Sequence, residues 1–161
     1  MAQRYYGAKD LATIEKFNRE LLGEPSKGDC GIIDQYVILY RTSVYETETN
    51  MYGEASDGKV YKQGVKLPCV VDAEDFDFQY TEFGPDNKQN VSFAFQRAYL
   101  VEVDLRPDIG DILKWNEGYF EVNTYNENQL IGGNPDNSHS IVVSAHLVRT
   151  PTTNLEEYRG F

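Results

Sequence analysis

The sequence predicts a mainly β protein: a β-barrel or sandwich with one N-terminal α-helix. Three observations carry that prediction. Apolar residues recur at every second position in five separate stretches, the period of a strand with one buried face. Aromatic residues are abundant, with twelve Tyr, eight Phe and one Trp among 161 residues, and Tyr and Phe favour strands. The stretch Pro107–Gln129, PDIGDILKWNEGYFEVNTYNENQ, reads as a β-hairpin around which the rest is organised.

In that hairpin, Gly110-Asp111 breaks the chain and Ile112–Trp115 forms the first arm. Asn116-Glu117-Gly118 reads as a three-residue connection with Gly at the left-handed, bulged position. Tyr119–Tyr125 returns, with Phe120, Val122 and Thr124 on one face and Tyr119, Glu121, Asn123 and Tyr125 on the other.

The remaining elements follow in order. Asp10–Leu22 is the helix: Leu11, Ile14, Phe17 and Leu21 make one apolar stripe, Asp10 is its N-cap and Gly23 its stop. A single stripe must be covered by something larger, either the chain's own sheet or a neighbouring subunit. Ile32–Thr42 is a strand with Ile32, Tyr36, Ile38 and Tyr40 facing one way and Val37 and Leu39 the other. Both faces are apolar, so a central position is expected. Val44–Gly64 is polar, with Asp57-Gly58 able to turn the chain back. At more than the two to five residues of an ordinary hairpin connection, Glu46–Gly64 reads as an extended hairpin with Met51 and Tyr52 on its outgoing arm. Val65, Leu67, Cys69 and Val71 alternate again, and Pro68, lacking an N–H, places that strand at an edge or a bulge.

Asp72–Asp77, DAEDFD, reads as a solvated acidic face; its spacing is not that of an EF-hand. Val91–Leu105 places Val91, Phe93, Phe95, Tyr99, Val101, Val103 and Leu105 at odd positions and is read as one long strand, bent near Gln96–Ala98. A helix, the alternative, would scatter Phe93, Tyr99 and Val103. After Leu130-Ile131 and the loop Gly132–Ser138 comes a last strand, His139–Val148. The domain plan is a helix and linker over 1–30, the barrel or sandwich over 31–149 and a polar tail over 150–161 with aromatic points at Tyr158 and Phe161.

Chemistry is sparse. His139 and His146 are seven apart, on opposite faces of one predicted strand, so they do not share a metal. No nucleophile elbow, zinc helix or phosphate-binding loop is present, and Gly132-Gly133 lacks a following helix N-terminus. Asp108 with Asp111, and Glu117 with Glu121, are close in sequence, but 26 acids make such pairs unavoidable. Tyr119, Tyr125, Asn123 and Asn126 have the composition of a carbohydrate site, or equally of a protein contact. Cys30 and Cys69 are read as free thiols of a reducing cytoplasm. No signal peptide or membrane span is expected. With a net charge of −11, binding to duplex DNA by phosphate neutralisation is not expected. No catalytic residue, cofactor or metal is expected.

The order of segments carries a resemblance. IIDQYVILYR is followed by NMYGEAS and KVY, then RPDIGDILKWNEGYFEVNTYNENQLIGG, then HSIVVSAHLVR. This resembles the neck, or head-completion, proteins of contractile-tailed bacteriophages over roughly Ile32 to Arg149. The strongest parts are Gly110-Asp111 with the strand Tyr119-Phe120-Glu121-Val122, and Met51-Tyr52-Gly53-Glu54. The resemblance implies a virion subunit that forms a homo-oligomeric ring, expected six-fold, between a portal-side connector and the tail terminator or tail proteins. Packaged DNA would pass through its channel without specific binding. Interface residues expected on this reading are Met51, Tyr52, Tyr61, Tyr119, Tyr125, Tyr158 and Phe161. The alternatives are a tail terminator or baseplate protein, or a carbohydrate-binding module.

Overall fold

The structure is a computed structural model and describes residues 8–24, 27–43, 47–48, 51–52, 59–82, 84–127 and 138–148. Helix α1 spans Ala8–Leu22. Short strands β1 (Gly23–Glu24) and β2 (Asp29–Cys30) pair behind it. Then come β3 (Tyr36–Tyr40), β4 (Val65–Pro68), β5 (Val70–Ala73), β6 (Asp77–Thr81), β7 (Gly84–Lys88) and β8 (Asn90–Gln96). Helix α2 (Arg97–Glu102), β9 (Ile112–Trp115), β10 (Gly118–Asn126) and β11 (Ser140–Leu147) complete the order.

Seven strands form one antiparallel sheet in the order β4-β3-β9-β10-β11-β8-β5. Its two ends, β4 and β5, are separated in sequence by Cys69 alone. They are therefore two halves of one strand, paired to β3 along the first half and to β8 along the second, and the sheet closes on itself as a barrel. Pro68 sits where the strand changes partner, so its missing N–H falls at a corner and not in mid-ladder. The Cys69 N–H continues the pairing with a bond to the Gln35 carbonyl at 3.0 Å. Closure removes the exposed edges an open sheet would leave.

The predicted alternation fills the barrel. Val37, Leu39, Leu67, Cys69, Val91, Phe93, Phe95, Phe120 and Val143 are all buried in one core. β3 is central, as its two apolar faces require: Val37 and Leu39 point inward, while Tyr40 is buried on the outside by the chain that returns through Tyr61. Ile32 is not part of that strand; it lies in the preceding turn, 80% exposed.

Three readings of the sequence are corrected. Val91–Leu105 is not one strand: β8 ends at Gln96, and α2 takes over where a bend was expected. The odd-position pattern continued by coincidence, since α2 buries the neighbours Tyr99 and Leu100 against the core and leaves Val101 exposed. The β9–β10 turn has two residues, not three. Trp115 pairs with Gly118, and Asn116 and Glu117 both take positive φ, 45° and 65°, the primed turn that matches strand twist. Gly118 serves close packing instead: a Cβ there would lie 3.1 Å from the Phe120 ring. Finally, a register shift between Val122 and Thr124 flips the end of β10, so Thr124 is exposed and Tyr125 packs on the core.

α1 lies against α2 through polar contacts. Arg19 pairs with Glu24 at 2.6 Å and with Glu102, and the Gln96 amide donates to the Glu15 carbonyl. Its apolar stripe is not covered by the barrel: Ile14, Phe17 and Leu21 are 37%, 60% and 41% exposed, and only Leu22 is buried.

Candidate interaction surfaces

Most of the segment Val44–Gly64 lies outside the described residues, as do Gly132-Gly133, Tyr158 and Phe161. The base of that segment is described, and it is built as a latch. The Ser43 N–H bonds the Val60 carbonyl, and the Lys62 N–H bonds the Arg41 carbonyl, so the outgoing and returning chains pair as the extended-hairpin reading requires. Asp111 fastens this base to the hairpin β9–β10. Its carboxylate is buried and accepts the Thr42 N–H on one oxygen and the Asp108 N–H on the other, each at 2.9 Å. The Thr42 hydroxyl donates to the Gly110 carbonyl, and Gly110 makes the turn with φ 90°. Burial raises the Asp111 carboxyl above the ordinary carboxylate value, outweighing the N–H bonds that lower it.

This accounts for Gly110-Asp111 as scaffold. In each of the two acid pairs singled out above, one carboxylate is paired with a cation. Asp108 faces Arg41 at 3.3 Å, and Glu121 faces Lys59 at 2.7 Å. Tyr61 is half-buried at the latch, its hydroxyl pushed up to about 12 by burial and then by Glu121 and Asp111. Burial likewise pushes the Cys69 thiol up to about 12, far from a reactive thiolate. Cys30 and Cys69 are both free. Among the described residues no group of His, Cys, Asp and Glu is placed to hold a metal ion. No helix there is long and apolar enough to cross a membrane.

The structure does not gather the expected interface residues into one place. Met51 and Tyr52 form a turn and are 93% and 86% exposed. Tyr119 points outward from β10 with the Lys114 ammonium 5.6 Å from its ring. Tyr125 faces Arg106, which stacks on its ring and donates to its hydroxyl at 3.0 Å.

The pairing of β6 with β7 is the surface that the sequence reading missed. These strands form a separate hairpin beside the barrel. One side is polar, with Lys88 bonding Gln79 and Gln79 bonding Asp77. Phe76, Phe78 and Tyr80 alternate onto the other side and are 66%, 53% and 82% exposed, with Phe78 and Tyr80 edge to face at 5.0 Å. The signal was present in DFDFQY as polar and aromatic residues in strict alternation, and the density of acids concealed it. A two-stranded hairpin is marginal in water by itself, and an aromatic face of this kind is suited to a contact.

Beside the hairpin, two adjoining clefts run along the outside of β5, β8 and β11. One, of about 420 Å³, is lined by Glu74, Asp75, Asp77 and Asn87 over a floor of Asn90 and His146. The other, of about 390 Å³, has Asp72, Asn123 and Thr124 over Ser92 and Ser144. No Tyr, Trp or Phe lines either cleft among the described residues. His146 Nδ1 is buried without a hydrogen-bond partner.

No protein-family model matches the chain, and no curated protein matches it either. Among solved structures it is similar to a chain from the virion of a native gene transfer agent particle, at 14% identity and a TM-score of 0.49. The match covers 71% of this chain and 94% of that one, a likeness too slight to carry fold or function across.

Proposed function

We propose that this chain is a structural subunit of a phage-type virion, forming a ring at the head–tail junction that bridges the portal-side connector to the tail and helps retain packaged DNA. The observation that carries the proposal is a closed barrel whose apolar projections face away from it. The α1 stripe, the Met51-Tyr52 turn and the aromatic hairpin are all exposed, while the polar side chains at the Gly110-Asp111 turn are engaged in holding the scaffold. A subunit built for assembly presents such surfaces. The segment order that resembles neck proteins supports the position within the particle. A net charge of −11 suits a channel through which DNA slides without sticking. Within this reading Met51, Tyr52 and Tyr119 contact adjacent subunits or the next ring, and Tyr61, Tyr125, Tyr158 and Phe161 extend those contacts.

Particles made without this chain test the assignment. The expected result is DNA-filled heads and finished tails that do not join. Joined particles of normal yield, or absence of tails altogether, would place the chain elsewhere.

A further inference from the structure

The barrel wall is electrostatically divided. Its outward positions on β3, β4, β9 and β10 follow from register: Ile38 stands opposite both Lys66 and Lys114, and Lys114 opposite Tyr119. Lys66 lies over the Tyr36 ring at 4.3 Å and Lys114 over Tyr119. The one acid at an outward position of these four strands is Glu121, and Lys59 neutralises it at 2.7 Å. At the border, burial and then the nearby Asp34 raise the Tyr36 hydroxyl above its ordinary value. The opposite half of the wall, around β5, β8 and β11, carries the two clefts with Asp72, Glu74, Asp75 and Asp77 against one cation, Lys88, and the aromatic hairpin stands beside them.

We infer that the acidic clefts and aromatic hairpin of one copy receive the basic, tyrosine-bearing face of a second copy. This rests on the ring reading above and names the surfaces that make the ring. Charge complementarity selects the occupant. A chain of net charge −11 repels its own copies at random orientations, and a contact that sets lysines against carboxylates is locally attractive. The two faces also match in apolar character: Phe76, Phe78 and Tyr80 meet Tyr36, Ile38 and Tyr119. The floor beneath the acids is made of small side chains, Ser92 and Ser144, which leaves room for lysine stems to enter. The two faces lie on different halves of one barrel, so the contact is head to tail and repeats from copy to copy.

Paired charge reversals test the inference. Lys66→Glu with Lys114→Glu reverses one face, and Asp72→Lys with Asp75→Lys reverses the other. All four side chains lie on the barrel's outer surface, and circular dichroism checks that each variant stays folded. Light scattering at low salt is expected to show the unaltered chain as an oligomer that dissociates as salt is raised. Each doubly substituted variant alone is expected at monomer mass, and their mixture is expected to recover the oligomer. Variants that associate like the unaltered chain, or a mixture that stays monomeric, would overturn these faces and leave the ring in place. An unaltered chain that is monomeric at every salt and protein concentration would overturn the ring as well.

Discussion

Phe93→Ala is expected to cost about 3–5 kcal/mol, a large share of the roughly 5–15 kcal/mol that holds a domain of this size together. Phe93 is fully buried. It stands in register with Val71 on β5 and Val143 on β11. Its ring also reaches across the barrel to the edges of Trp115 at 6.3 Å and Phe120 at 6.0 Å. One side chain thus ties the two halves of the wall together, and truncation leaves a cavity that rings held by backbone ladders cannot close. Urea unfolding followed by the fluorescence of Trp115, the single tryptophan, measures the loss. Phe78→Ala on the exposed hairpin face is the control, with a change within about 0.5 kcal/mol. Equal losses at the two positions would mean that the hairpin belongs to the same core as the barrel.

Asp111→Ala is the second large effect, a loss of about 2–5 kcal/mol, because it strands the part-buried Thr42 and Asp108 N–H groups at about 1–3 kcal/mol each. The loss has a pH signature. Burial raises the Asp111 carboxyl in the folded chain, so the folded state takes up a proton more readily than the unfolded state. Its contribution therefore favours folding more as pH falls from neutrality through the raised value, and levels off below the ordinary 3.8. The gap in stability between the unaltered chain and the Asp111→Ala variant should widen over that range in denaturation curves taken at several pH values. A gap that narrows would show that the two N–H bonds, and not burial, dominate this carboxyl. The same substitution should loosen the base of the segment that carries Met51 and Tyr52 and leave the barrel core in place.

The parts of the fold visible in the sequence are those where neighbours in the chain are also neighbours in space. Leu67, Cys69 and Val71 alternate because one strand runs through the corner at Pro68, and the arms of β9 and β10 are joined by their own turn. What was hidden depends on partners far away. Asn116 and Glu117 set a two-residue turn even though Gly118 invites a longer one, because strand twist decides the connection. The bulge near Asn123 is fixed by pairing with β11 and reverses the faces of Thr124 and Tyr125. A six-residue helix such as α2 is too short to display its own period, so the alternation of β8 runs on through it in the sequence. Lys66, Lys114 and Tyr119 share a face only through register between four strands. For that reason Tyr119 was visible as an exposed aromatic and the lysines beside it were not.

Electron micrographs of the purified chain at low salt test the central claim most directly. Closed rings of uniform subunit number, with a central opening wide enough for duplex DNA, are the predicted result. A field of single barrels, or open filaments that never close, would contradict it.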